Sequence, residues 1–321
     1  MALHQASGRT GLGLALSALT AACWATLPIA LKLTLEVLDP ITLTWFRFLV
    51  AALLTGGWLA LRGQLVGYGA LGRRGWTMLA VAAAMLVGNY VFYLLGVQQT
   101  TPGNAQLIIQ LAPLLMALGG IWVFGERFRL AQWLGLLLLA GGMGLFFSDQ
   151  LRAAVHAPGY VHGTLLVVLA AVVWAVYALA QKQLLMRLGS MQVLVLIYAV
   201  AALVLWPFAH PTALLALDGA QWALLAFCAL NTVVAYGAFA EALAHWEASR
   251  VSAVLATTPL LCLAAVAAVH AAWPRMLAPE PISAWGWIGA LLVVAGSASV
   301  SLLGRRREWG MGNRESRPRR R

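Results

Sequence analysis

The sequence predicts an all-α polytopic membrane protein, with ten transmembrane helices arranged as two inverted five-helix repeats. Three observations predict it. The 321 residues are 62% hydrophobic and only 10% charged, with mean hydropathy +0.84, whereas a soluble domain carries about 25% charged residues. Apolar runs long enough to cross a bilayer, which takes about 20 residues, follow one another with short breaks. Landmark residues of the first half return in the same order in the second half.

The spans are expected at about 12–31, 41–61, 76–96, 105–124, 130–147, 161–180, 191–208, 222–240, 251–271 and 285–303. Helices are the expected form because a lipid-facing backbone must satisfy its own hydrogen bonds. The runs also lack the alternation of barrel strands. In span 1, Thr20, Trp24, Pro28 and Lys32 form an i, i+4 stripe, and Pro28 is either a static kink or a hinge. Span 2 carries Arg47, near 10 Å deep at about 1.5 Å per residue. Span 3 offers Asn89, Tyr90 and Tyr93. Span 4 places Gln106 and Gln110 one turn apart, with Pro113 on the same face. Span 5 holds Gly135, Gly141, Gly142 and Gly144, small residues that let helices approach closely.

Span 6 repeats the opening stripe with Trp174 and Lys182. Span 8 offers Asn231, Tyr236 and Phe239, followed at its end by Glu241 and His245. Span 9 has Ser252 and Ala256 where span 4 has its glutamines. Span 10 brings Gly289 and Gly296. The residues fall into a first repeat at 1–150, a second at 151–304, and a basic tail at 305–321 that is expected to be disordered and cytoplasmic.

Orientation follows from the Lys and Arg residues of the loops. With the N-terminus inside, seventeen of them fall on the inner side, and Lys32, Arg152 and Arg275 on the outer side. Both termini are therefore expected in the cytoplasm. The net charge of +11 owes most to the eight arginines of the tail, which suit anionic lipid headgroups better than nucleic acid.

The repeat is inverted. Trp24 and Lys32 return as Trp174 and Lys182, 150 residues on. Trp76, Tyr90 and Pro113 return as Trp222, Tyr236 and Pro259, displaced by 146. Glu126, Trp133 and Gly135 return as Glu280, Trp287 and Gly289, displaced by 154. Five spans per half is an odd number, so the second half crosses the membrane in the opposite sense. Inverted repeats of this kind are a frequent architecture of secondary transporters.

The stretch Ala22-Cys23-Trp24-Ala25 through Lys32, then Asp39-Pro40 and Phe46-Arg47-Phe48, resembles the opening of the EamA family of the drug/metabolite transporter superfamily. Pro113 through Gly125-Glu126-Arg127, then Gln132-Trp133-Leu134-Gly135, resembles the family's next hallmark. The second half departs from it at Ala278-Pro279-Glu280-Pro281. The resemblance covers about residues 12–303. It implies a central substrate cavity, and export or exchange of small metabolites such as amino acids at a bacterial inner membrane.

The candidate substrate-binding residues are Trp24, Tyr90, Gln106, Gln110, Trp174 and Tyr236. Trp24 and Trp174 are the only tryptophans near mid-span, and they either stack on a solute or pack the repeats together. The glutamines either bond a solute or bridge helices. Three further residues are candidates for gating or charge pairing. Arg47 can attract a carboxylate, snorkel, or pair with Asp39 to hold the outer end together. The family often has Arg here irrespective of substrate, which favours the structural or gating role. Glu241 and His245 can form a proton relay or a local ion pair.

No catalytic residue, metal site or cofactor is expected. Cys23, Cys228 and Cys262 lie in apolar runs and match no metal or disulfide spacing, and no phosphate-binding loop occurs. The expected partners are a small-molecule substrate and the bilayer, with protons as an optional coupling ion and a monomer or homodimer as the assembly. A facilitative channel and an intramembrane lipid-modifying enzyme are the competing readings.

Overall fold

Caps start several helices where the sequence changes from loop to apolar run. The Asp39 carboxylate accepts from the backbone amides of Ile41 and Thr42, and Pro40 supplies the first helical residue, a position where its missing N–H costs nothing. Thr101 and Pro102 do the same two spans later. Asp218 and Gln221 form a reciprocal capping box.

The structure is a computed structural model that describes residues 7–65, 67–125, 128–154, 159–277 and 282–302. Its helices are α1 (Thr10–Thr34), α2 (Pro40–Leu61), α3 (Gly72–Gln99), α4 (Pro102–Ile108), α5 (Leu111–Phe124) and α6 (Leu130–Ala154). They are followed by α7 (Tyr160–Leu184), α8 (Ser190–Leu205), α9 (Gly219–His245), α10 (Ala248–Leu255), α11 (Thr258–Ala272) and α12 (Ala284–Leu302). Eight segments are long and apolar enough to cross a membrane, with α4–α5 and α10–α11 each counting as one. The shorter apolar stretches Leu130–Phe146 and Ala284–Gly296 bring the number to ten. Glu126, Arg127, the segment Ala278, Pro279, Glu280 and Pro281, and the 305–321 tail lie outside the described residues.

Spans 4 and 9 are both broken, at equivalent places. Proline lacks an N–H and its ring clashes with the carbonyl four residues back. Pro113 thus frees the carbonyl of Ile109, and Pro259 that of Leu255. In span 4 the Ile109 carbonyl accepts instead from Ala112 N–H at 2.8 Å. In span 9 the Leu255 carbonyl accepts from the Thr258 hydroxyl. Pro28 does not have this effect: α1 continues through it from Thr10 to Thr34.

The two repeats, related by inversion, pack with two-fold logic. Helix α1 lies on α9 as α7 lies on α3, α1 meets α10 and α11 as α7 meets α5 and α4, and α2 pairs with α8 as α6 pairs with α12. The α6–α12 seam shows the symmetry at atomic scale. A Cβ on Gly142 would lie 2.6 Å from the Gly289 carbonyl oxygen, and one on Gly296 would lie 2.5 Å from that of Gly135. Gly135 and Gly289 are repeat mates, as are Gly142 and Gly296, so the same contact is made twice. The backbones touch because nothing separates them, which is how helices gain dispersion contact in lipid. Gly141 and Gly144 face open space instead. Gly135, Gly142, Gly289 and Gly296 therefore serve packing within the chain.

Candidate functional site

A cavity lies between the repeats, where α1, α3 and the broken span 4 meet α7, α9 and the broken span 9. Trp24, Tyr90, Gln106, Gln110, Trp174 and Tyr236, which sit on five helices and the break of span 4, all border it. Its free space, counted as room for the centres of water molecules, is about 80 Å³. That is enough for several waters and well below the roughly 300–1,000 Å³ of sites that enclose drug-sized ligands.

The aromatic side of the wall is a continuous cluster. The Trp24 ring meets Trp174 edge-on at 5.5 Å and Tyr236 at 5.3 Å between centroids. Phe239 supports both tryptophans, at 5.5 and 5.1 Å. Tyr90 stands 5.6 Å from its repeat mate Tyr236 and 4.4 Å from Phe48. These spacings and tilts are those that aromatic quadrupoles favour. The same two tryptophans border the cavity and touch each other across the repeats.

The polar side is sparse. Gln106 accepts from the Tyr93 hydroxyl at 3.3 Å. The side-chain carbonyl of Gln110 has no hydrogen-bond partner among the described residues, although Gln110 is only 2% exposed. Asn89 is spent on structure, donating to the Ala170 carbonyl of α7 at 3.0 Å. Asn231 likewise donates to the Cys23 carbonyl of α1 at 2.9 Å.

Arg47 also borders this cavity. Of the alternatives for Arg47, the pair with Asp39 does not form. Asp39 caps α2 with one oxygen and approaches His210 at 3.7 Å with the other, two helical turns from Arg47. Arg47 instead reaches across to α9. Its Nε donates to the Cys228 carbonyl at 3.2 Å and to the Thr232 hydroxyl at 3.0 Å, and its guanidinium carbon sits 4.5 Å from the Tyr90 ring centre.

Glu241 and His245 do approach each other, at 3.2 Å. Glu241 also accepts from the Ser190 hydroxyl, and His245 contacts the Ser7 hydroxyl at 2.8 Å. The pair lies at the C-terminal end of α9 and does not border the cavity. Lys32 has a separate task. Its ammonium donates to the carbonyls of Val97, Gln98 and Thr100 at 2.8–3.1 Å, satisfying the end of α3 where the helix dipole favours a cation. Lys182 approaches the Phe124 ring at 5.0 Å.

Sequence reasoning did not single out Thr258, Leu255 and Ile109, which border the cavity at the two helix breaks. The signal was present: a proline at the same place in both halves of an apolar span marks freed backbone groups, and in transporters these gather at the binding region. Among the described residues no cluster of three or more His, Cys, Asp or Glu side chains is placed to hold a metal. The three cysteines are free thiols.

The family model described as the EamA-like transporter family matches residues 11–148 and again residues 161–302, one match per repeat. The chain belongs to the EamA-like transporter family. An Escherichia coli K12 relative in this family, named as an uncharacterized inner membrane transporter, YhbE, is 39% identical over 304 residues, which cover 94% of each chain. A relative from Ancylobacter novellus, named as the aromatic amino acid exporter YddG, is 31% identical over 163 residues, which cover 50% of this chain and 54% of that one. A solved crystal structure superposes with a TM-score of 0.66 at 22% identity, covering 91% of this chain and 96% of the other, and shows the same fold. The chain is thus a membrane transporter of the EamA type.

Proposed function

We propose that this EamA-type transporter exports or exchanges small amphipathic metabolites, amino acids among them, by alternating access at the inner membrane, with both termini in the cytoplasm. One observation carries the reading: a cavity between two inverted repeats, bordered by the rings of Trp24, Trp174, Tyr90 and Tyr236 and by the amides of Gln106 and Gln110. Aromatic walls with a few polar anchors suit a solute that has an apolar body and a polar end. The breaks in spans 4 and 9 beside the cavity are the features that transporters of inverted-repeat design use at their binding sites. The partial similarity to a protein named as an aromatic amino acid exporter points the same way.

The test is counterflow in proteoliposomes, using labelled amino acids, other small metabolites and cationic dyes, with and without an imposed pH gradient. Saturable exchange of one class is the expected result. A linear, unsaturable flux indicates a channel instead, and turnover of a lipid substrate indicates an enzyme. Acceleration by the gradient would bring Glu241 and His245 into the mechanism as a coupling pair.

A further inference from the structure

We infer that Arg47 is the anion-binding group of the cavity, so that the solute is a small carboxylate with an apolar or aromatic body. The inference rests on the carrier reading given above and narrows its substrate class. It departs from the structural or gating role that the family resemblance favours for Arg47, because only Nε is bonded across to α9 and the side chain borders the cavity. Arg47 is 2% exposed, borders the cavity, and carries a permanent charge. Of its five N–H donors, only Nε makes a hydrogen bond among the described residues, and both acceptors are neutral. The π-face of Tyr90 lies 4.5 Å from the guanidinium carbon and offers a partial negative potential, with no hydrogen-bond acceptor to take the remaining donors.

No carboxylate among the described residues forms an ion pair with it. Asp39 serves the α2 N-terminus, Glu241 faces His245, Glu247 faces Arg250, and Asp218 serves the α9 N-terminus. A buried cation without a counter-charge is unfavourable in an apolar interior. A solute carboxylate supplies the missing charge and matches the guanidinium fork in two parallel hydrogen bonds. The rest of the wall fits the rest of such a molecule: rings for its apolar body, and the free Gln110 carbonyl for a neighbouring N–H or O–H donor. The same wall, with a fixed positive charge and no acid, disfavours solutes that carry only positive charge.

The test uses isosteric probes in counterflow and in binding to the purified full-length protein: L-phenylalanine, 3-phenylpropionate, L-phenylalaninamide and phenethylamine, with leucine and leucinamide as an aliphatic pair. The expected result is exchange of the carboxylates, with the amides and the amine weaker by about 10- to 100-fold, the range for losing a charge-assisted hydrogen bond. Arg47→Gln is expected to lose that discrimination, and Arg47→Lys to keep part of it. The comparison between probes needs no variant, so it holds even if Arg47→Gln does not fold. Exchange of amides or the amine as good as that of the carboxylates overturns the role of Arg47 while the carrier reading stands. Carboxylate selectivity unchanged in folded Arg47→Gln overturns it too. Saturable exchange of none of these probes by folded wild-type protein overturns this substrate class, and the carrier reading falls with it only if the wider metabolite panel also fails.

Discussion

The cavity wall formed by Leu27, Leu31 and Gln106 has a two-fold counterpart in Tyr177, Gln181 and Ser252, and the two are packed in opposite ways. The first set borders free space. The second is packed shut: Tyr177 and Gln181 are 0% exposed, and the Tyr177 hydroxyl, both amide atoms of Gln181 and the Ser252 hydroxyl have no partner among the described residues. The leucines need no partner. The buried polar groups do, at about 1–3 kcal/mol for each one left unsatisfied. On the alternating-access reading proposed above, two leucines stand beside the cavity where their counterparts are water-seeking groups in the packed interior, an arrangement that would lower the cost of closing one half and opening the other. The charge is the exception. Arg47 corresponds to Ile197, fully buried on α8, so the anion-binding group exists on one side only.

Breaking the seam that both halves share has the largest expected effect. Gly142→Leu forces a side chain into the Gly289 backbone and is expected to cost about 3 kcal/mol or more, read as loss of a monodisperse, thermally stable protein in detergent. Gly141→Leu, which meets nothing within 4 Å, is expected to stay within about 0.5 kcal/mol of wild type.

Removing the orphaned polar groups sharpens the comparison. Tyr177→Phe and Gln181→Leu are each expected to stabilise the packed half by about 1–3 kcal/mol. The measurements are a raised melting temperature and slower exchange, because the stabilised state must be left in every cycle. A lowered melting temperature in both variants would show that these groups are satisfied after all.

The smallest effect is expected at the end of α9. Glu241→Gln removes one charge of a pair whose Glu241 side chain is 44% exposed. Exposed pairs contribute under about 1 kcal/mol, so the melting temperature is expected to change by no more than a few degrees.

The spans were legible because lipid imposes a length and a composition on each of them. Helix α7 at Tyr160–Leu184 and α9 at Gly219–His245 overrun the expected 161–180 and 222–240 only at their polar ends, where hydropathy carries no information. The six candidate wall residues were legible as a group because a ring or amide at mid-depth in an apolar helix has few alternatives to the protein interior. The breaks at Ile109–Gln110 and Ala256–Thr257 were not read, although Pro113 and Pro259 were in view as landmarks. Pro28 lies inside a helix that does not break, so proline alone does not decide. The surroundings of Arg47 were illegible for another reason: they depend on the register of α2 against α9, and that register is set by packing that no single helix encodes.

The most direct test of alternation is thiol accessibility. With Cys23, Cys228 and Cys262 replaced by serine or alanine, single cysteines are placed at Leu27, Gln106, Tyr177 and Gln181, and a membrane-impermeant thiol reagent is applied from each side of the membrane in turn. Cys at Leu27 or Gln106 is expected to react from one side without solute. Cys at Tyr177 or Gln181 is expected to be protected at rest and to react from the other side during exchange. Reaction of all four positions from a single side, unchanged by solute, would contradict alternation between the two halves.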